Sequence, residues 1–323
     1  MRRSTRPLAG SALLATLALS PAIRSAPGQG EPAPPADPLA GILAPRAKVA
    51  KLAGGLRFTE GPVWIRDGGY LVFSDVAGDE MKKWDGKELT SFRRPSHRAN
   101  GNRLDAEGRL VTCEHETRRL TRTDREGKVE VLVEGWEGHR FHSPNDLVIG
   151  KDGTIWFTDP PYGLGERERE LEGNFVFRFR PATGELAVVV RDFDRPNGVE
   201  LSPDEKRLYV ADSGAPRCIR AFDIAKDGTL SGGDVFARID AGVPDGIRCD
   251  EAGRLYSSAG DGVHVFDAAG KLLGRIPVPE QPSNLCFGGP AGKTLYITAR
   301  MSLYSIELAV AGREFAAATR QGE

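Results

Sequence analysis

From about Ala47 onward, apolar and polar residues trade places at nearly every second position in short runs such as YLVFSD, LVTCE, IWFTD, RLYVAD and TLYITA. That period puts alternate side chains on opposite faces of an extended strand. Few windows carry the 3.6-residue period of an amphipathic helix, and 39 Gly and 22 Pro interrupt the chain at turn intervals. The pattern predicts an all-β chain of short strands.

The runs repeat. Six copies of one pattern read EGPVWIRDGGYLVFSD from Glu60, NGNRLDAEGRLVTCEH from Asn100, NDLVIGKDGTIWFTDP from Asn145, NGVELSPDEKRLYVADS from Asn197, DGIRCDEAGRLYSSAG from Asp245 and NLCFGGPAGKTLYITA from Asn284. Each holds two strands joined by a tight turn, the local signal of a β-hairpin, and further alternating runs such as GKVEVLV, NFVFRF and GVHVFD follow. A repeat of roughly 40 to 50 residues with about four strands is a propeller blade. Six copies predict a six-bladed β-propeller with a central metal site; a sandwich would explain the strands but not the repeat. Lys48 to Phe58, ahead of the first copy, is expected to close the ring by joining the last blade around Leu303 to Leu308.

In a propeller the first strand of every blade lines the axial channel, so the residues opening the copies should gather at one mouth. They are Glu60, Asn100, Asn145, Asn197, Asp245 and Asn284, all oxygen donors. One such Asn could be an Asx-turn, but a set in register asks for another explanation. Hard oxygen donors with two negative charges suit a divalent cation: Ca²⁺ first, Mg²⁺ or Mn²⁺ next, with Zn²⁺ as an alternative although it would call for His and Cys.

Composition narrows the partners. Hydrophobic residues make up 40% and charged residues 28% of the 323, enough for an ordinary core. A net charge of -1 argues against nucleic acid or an anionic membrane surface as partner. Residues 1–26, with Arg2, Arg3 and Arg6 ahead of an apolar run from Leu8 to Ala22, have the pattern of a signal peptide, so the mature chain is expected to be exported, periplasmic or secreted, with no membrane span. Residues 27–46, rich in Pro, Ala and Gly, are expected to be a spacer, 47–311 the propeller and 312–323 a C-terminal tail. Cys113, Cys218, Cys249 and Cys286 lie in strand-like runs without CxxC spacing, which suits buried apolar side chains.

At these positions, TEGPVW (Thr59–Trp64), NGNRLDAEGRLVTCEHETRRLTR, SPNDLVIGKDGTIWFTDPPYGL, RPNGVELSPDEKRLYVADS, PDGIRCDEAGRLYSS and TLYITA together resemble the regucalcin/gluconolactonase, or senescence-marker-protein, family of six-bladed propellers, in its bacterial gluconolactonase branch. The resemblance implies one divalent metal held by Glu60, Asn197 and Asp245, with Asn145 as a further ligand or a substrate contact. It also implies that Asp245 exchanges protons with the reacting groups. The animal lactonases carry an Arg two residues before the Asn matching Asn145; here that residue is Ser143.

The reaction these residues could serve is hydrolysis of a small lactone or sugar ester, with the carbonyl polarised by the cation and water activated by Asp245. Asn102, His115 and Tyr162, the last in a Pro-Pro-Tyr-Gly loop, are candidate substrate contacts. A Ser-His-Asp triad lacks a GxSxG elbow, with only Ser143, Ser213, His115 and His142 near the motifs. Trp64 and Trp156 read as packing between blades. A non-catalytic Ca²⁺-stabilised propeller that binds carbohydrate or protein, and an aryl-ester or phosphoester hydrolase on the same scaffold, remain open alternatives.

Overall fold

The computed structural model describes residues 38–315. Six antiparallel four-stranded sheets follow one another along the chain; among the described residues there is no α-helix, only two short 3-10 turns. The strand nearest the axis is Thr59–Ile65 in blade 1, Ala99–Leu104 in blade 2, Leu147–Ile149 in blade 3, Pro196–Leu201 in blade 4, Ile247–Cys249 in blade 5 and Pro282–Gly288 in blade 6. Each inner strand packs on those of both neighbouring blades, blade 1 on blade 6 included, so the ring is closed.

The alternation in the sequence separates two neighbours rather than core from solvent. Strands such as Ile155–Asp159 and Gly262–Phe266 are buried on both faces, because each sheet is pressed between two others. Six apolar clusters result, one at every blade interface. Between blades 2 and 3, Phe157 and Phe177 stack at 5.0 Å and Phe141 meets both edge-on. Trp64 stacks on Tyr296 at 5.6 Å between blades 1 and 6, and Trp156 is buried between blades 3 and 4, so both are packing residues. All four cysteines are buried free thiols.

Ala50–Ala53 forms the outer strand of blade 6, antiparallel to Ser302–Glu307, which is the closure expected of Lys48–Phe58. Glu280 clamps that seam. Its carboxylate accepts Lys51 Nζ at 3.1 Å, Tyr304 Oη at 2.9 Å and the Ser302 hydroxyl at 2.5 Å, and the Met301 amide at 3.2 Å.

The domain boundaries need two corrections. The expected spacer does not run to residue 46: Leu39 and Ile42 are buried against blades 5 and 6, and Leu43 bridges to Leu308. Two apolar side chains three residues apart outweigh the Pro-rich composition around them. Likewise, the described part of the expected tail, 312–315, tucks under the ring, where Gly312 bridges to Asp250 and Arg313 pairs with Glu200 at 2.6 Å. The expected signal peptide (1–26), residues 27–37 and residues 316–323 lie outside the described residues.

Burial pushes the Glu280 carboxyl up, but the Ser302, Tyr304 and Lys51 hydrogen bonds outweigh it and hold it down at about 2. The folded value is below the unfolded one of about 4.3. The clamp therefore stabilises the fold fully above that pH and loses its effect as pH falls toward 2. Glu280→Gln should lower the melting midpoint at pH 7 by about 2–4 °C, for a solvent-screened contribution of about 1 kcal/mol. In thermal melts the gap from the parent protein should shrink steadily between about pH 4 and pH 2.

Candidate metal and active site

The site grows out of a slip in the inner strands. In blades 1, 2, 4 and 6 the ladder to the second strand breaks register at its first residues, and such a bulge re-aims the opening side chain. In blades 3 and 5 the ladder starts only after the opening residue, at Leu147 and Ile247. In blades 1, 2, 4 and 5 the residue that follows is glycine. A Cβ on Gly61, at φ +47, would stand 1.9 Å from the Asn100 carbonyl oxygen, and one on Gly198 would stand 2.2 Å from that of Asp245. Into that space the next blade's backbone closes: Gly101 N–H donates to Asn145 O at 2.8 Å, Gly198 to Asp245 O at 3.1 Å and Gly246 to Ser283 O at 2.8 Å.

These bonds define the register, and they correct one expectation. The mouth residue of blade 6 is Ser283, not Asn284. Asn284 sits one step further along, like Asp146 in blade 3, and each turns its side-chain oxygen to the next backbone N–H, at 2.9 Å. The mouth ring therefore holds Glu60, Asn100, Asn145, Asn197, Ser283 and Asp245.

Glu60 is 3% exposed, and its Oε2 accepts Asn284 Nδ2 and its neighbour Gly61 N, both at 3.1 Å. Burial, then the charge of Asp146, push its carboxyl above the usual range against the pull of the Asn284 hydrogen bond. Asp245, partly accessible at the mouth, is pushed well up by burial and by the negative charges of Glu60 and Asp146. Asn197 donates its NH₂ to Ser213 Oγ at 2.9 Å, and Ser213 donates on to Pro244 O. Asn100 donates its NH₂ to His115 Nε2 at 3.1 Å. Both amides are thereby oriented with their oxygens turned away, and the Oδ1 atoms of Asn100 and Asn197 are buried with no hydrogen-bond partner.

Two carboxylates that repel each other, beside two orphaned amide oxygens, are an arrangement in want of a hard cation. Water could bond the amide oxygens but would not relieve the charge repulsion. Among the described residues no three His, Cys, Asp or Glu side chains converge as a metal group, so a cation here must draw on the amides as well. Asn145, 4% exposed and fixed by backbone bonds to Thr158 and Gly101, completes the ring on that side.

The expected substrate contacts divide. Tyr162 is 43% exposed while its hydroxyl lies close to Ser213, Asn197 and Asp245, where burial pushes the phenol up to about 12. It stands over the mouth. His115 is buried behind Asn100, and Gly163 lies so close over its ring that a Cβ would come within 2.5 Å. Burial, with Arg167 and Arg98 nearby, lowers its pKa to about 3, so it is neutral and orients Asn100. Asn102 is fully buried in the wall, with Nδ2 bonded to Gly61 O, Ser74 Oγ and Asn100 O and Oδ1 to Thr112 Oγ1, so its amide is committed within the protein.

Among the described residues, Ser143 and His142 form no serine triad. Ser143 Oγ donates to Pro160 O and accepts from Gly163 N–H, while His142 bonds Leu171 O and Asn174.

Sequence reasoning passed over Asp146 and Arg248, both nearly inaccessible and paired at 3.2 Å beneath the mouth. Their only signal was position: one and three residues after a ring residue.

With this geometry in view, the model of the family described as SMP-30/Gluconolactonase/LRE-like region matches residues 58–301. The chain belongs to that family. Among its relatives, a gluconolactonase of Zymomonas mobilis is 35% identical over 80% of this chain and 80% of its own length. A pentonolactonase of Haloferax volcanii is 28% identical over 75% of this chain and 81% of its own. A solved gluconolactonase structure from Xanthomonas campestris superposes with a TM-score of 0.80 at 39% identity, covering 84% of this chain and 92% of that one. All six mouth residues fall inside the family match.

If the mouth binds a cation, Ca²⁺ at about a hundred times its Kd should stabilise the chain by about 2.7 kcal/mol and raise its melting midpoint by roughly 5–10 °C. The shift should disappear in Glu60→Gln. Differential scanning fluorimetry with and without chelator reads both.

Proposed function

We propose that this chain is an exported, metal-dependent lactonase that opens a sugar lactone by hydrolysis. The observation that carries the reading is the pairing of Glu60 and Asp245 with orphaned amide oxygens at the channel mouth, in a family whose relatives include gluconolactonases and a pentonolactonase. A divalent cation held by Glu60, Asn145, Asn197 and Asp245, Ca²⁺ first, supplies Lewis-acid polarisation of the lactone carbonyl when bound.

The chain's own residues do the rest. Asp245, the mouth carboxylate with access to solvent, takes a proton from the water that attacks the carbonyl carbon. The ring C–O bond breaks, and the same proton returns to the departing alkoxide oxygen, so the product is a hydroxy acid. Ser213 fixes Asn197 so that its oxygen faces the site, and His115 does the same for Asn100. Tyr162, with its hydroxyl over Asn197 and Asp245, is placed to hydrogen-bond a substrate hydroxyl and to limit water entry. Amides lie outside this chemistry, because a carboxylate base beside a cation suits only a reactive ester.

Hydrolysis of δ-gluconolactone by the mature chain should be abolished by chelation and restored by one of Ca²⁺, Mg²⁺, Mn²⁺ or Zn²⁺. Asp245→Ala should lose about 10³-fold or more in kcat with its fold intact, a scale typical of removing a positioned acid-base group. Tyr162→Phe should act mainly on KM. A metal-dependent melting shift with no turnover of any lactone would overturn the enzymatic reading in favour of a binding protein. Export rests on residues 1–26, and N-terminal sequencing of the periplasmic or secreted form should begin near Ala26.

A further inference from the structure

Beneath the mouth, the channel carries charge that the reaction does not use. Asp146 is fully buried; its Oδ2 accepts Arg248 Nη1 at 3.2 Å and lies 3.5 Å from Asn284 Nδ2, which also donates to Glu60 Oε2 at 3.1 Å. Arg248 is 2% exposed, and its Nη1 also donates to Ile247 O at 2.6 Å. Its Nε and Nη2 are buried without a partner among the described residues. At the same place in blades 2 and 4, three residues after Asn100 and Asn197, Arg103 pairs with Glu200 at 3.1 Å, and the other oxygen of Glu200 receives Arg313 at 2.6 Å.

Arg248 is an expensive way to fill space. A buried guanidinium with unpaired N–H groups costs free energy that an apolar side chain would not. The equivalent place, three residues after the ring residue, holds apolar Val63, Val148 and Cys286 in blades 1, 3 and 6, and in blades 2 and 4 it holds Arg103 and Glu200, which pair with each other. The charge itself is what the position supplies. It balances Asp146, which would otherwise add a third negative charge beside Glu60 and Asp245, and it reaches Glu60 as an attraction.

We propose that Arg248 is a resident cation of the channel, a positioning residue that offsets Asp146 and so sets the net charge met by the exchangeable metal one layer above. The inference rests on the reading of Glu60, Asn197 and Asp245 as ligands of a divalent cation. It does not depend on the lactonase activity.

Calorimetric titration of Ca²⁺ into the chelator-stripped full chain tests it by sign. Removing a positive charge that serves only packing would loosen the site and weaken binding. Removing one that offsets Asp146 should tighten it. Arg248→Met should therefore bind Ca²⁺ about tenfold more tightly or better, the scale of one unit charge a layer away at an effective dielectric near 20. Asp146→Asn should weaken binding by a similar factor. The double variant should return to within about twofold of the parent, since the two charges cancel. Arg248→Lys, which keeps the charge, should bind like the parent.

Equal or weaker binding by a folded Arg248→Met overturns the proposal. If that variant does not fold, Asp146→Asn decides alone, and unchanged affinity overturns it. A parent chain that binds none of Ca²⁺, Mg²⁺, Mn²⁺ or Zn²⁺ sinks the cation reading and this inference with it, whereas a binding parent with unresponsive variants sinks this inference only.

Discussion

The structure depends on how closely one blade's backbone can approach the next at the channel mouth. Gly61 and Gly198 leave no room for a Cβ, and through such gaps the N–H groups of Gly101, Gly198 and Gly246 reach a neighbouring blade's carbonyl. These bonds tie backbone to backbone across the interfaces between blades 2 and 3, 4 and 5, and 5 and 6. They also draw the opening residues of neighbouring blades together at one mouth. Without that approach the six oxygen donors would be scattered over a wide rim, and no cation could touch several at once. The fold and the candidate site therefore share one constraint.

Much of this was legible in the sequence, because a blade repeats its chemistry as well as its hydrophobicity. The copies located the inner strands, and the apolar stretch before the first copy located the closing strand. Glu60, Asn145, Asn197 and Asp245 are brought to one mouth as their shared register implied. What escaped was decided by single-residue geometry. Ser283 and Asn284 differ by one position, and a one-residue slip exchanges the mouth for the layer below it. Asn102 carries the right chemistry two places along from Asn100, but the bulge turns it into the wall. The Asn-Gly and Asp-Gly pairs look like turns; in the folded chain their glycines serve contact between blades. Leu39, Ile42 and Arg313 lie outside the repeat, so no periodicity could report that they pack.

The channel is also an electrostatic column. From the mouth downward run Glu60 and Asp245, then Asp146 with Arg248 beside the Arg103–Glu200 pair, and last Arg313 from the C-terminal segment. Each buried charge below the mouth has an opposite neighbour, which is the condition for keeping ions out of water at tolerable cost. Only the top pair lacks an ion-pair contact of its own among the described residues. The imbalance at the mouth is thus specific to that layer, and the paired layers beneath keep it from being dispersed down the channel.

The seam in blade 6 has a further meaning for how the molecule is made. Ala50 pairs with Ser305, so the ring's last sheet combines strands from opposite ends of the propeller. A chain emerging from the ribosome can assemble earlier blades one by one, each from local hairpins, but it has no partner for its first strand until the final hairpin appears. Until then the nascent protein is an open arc with two bare sheet edges. Its most vulnerable moment falls just before that hairpin joins, when exposure to another arc would be the main hazard and swift ring completion the main protection.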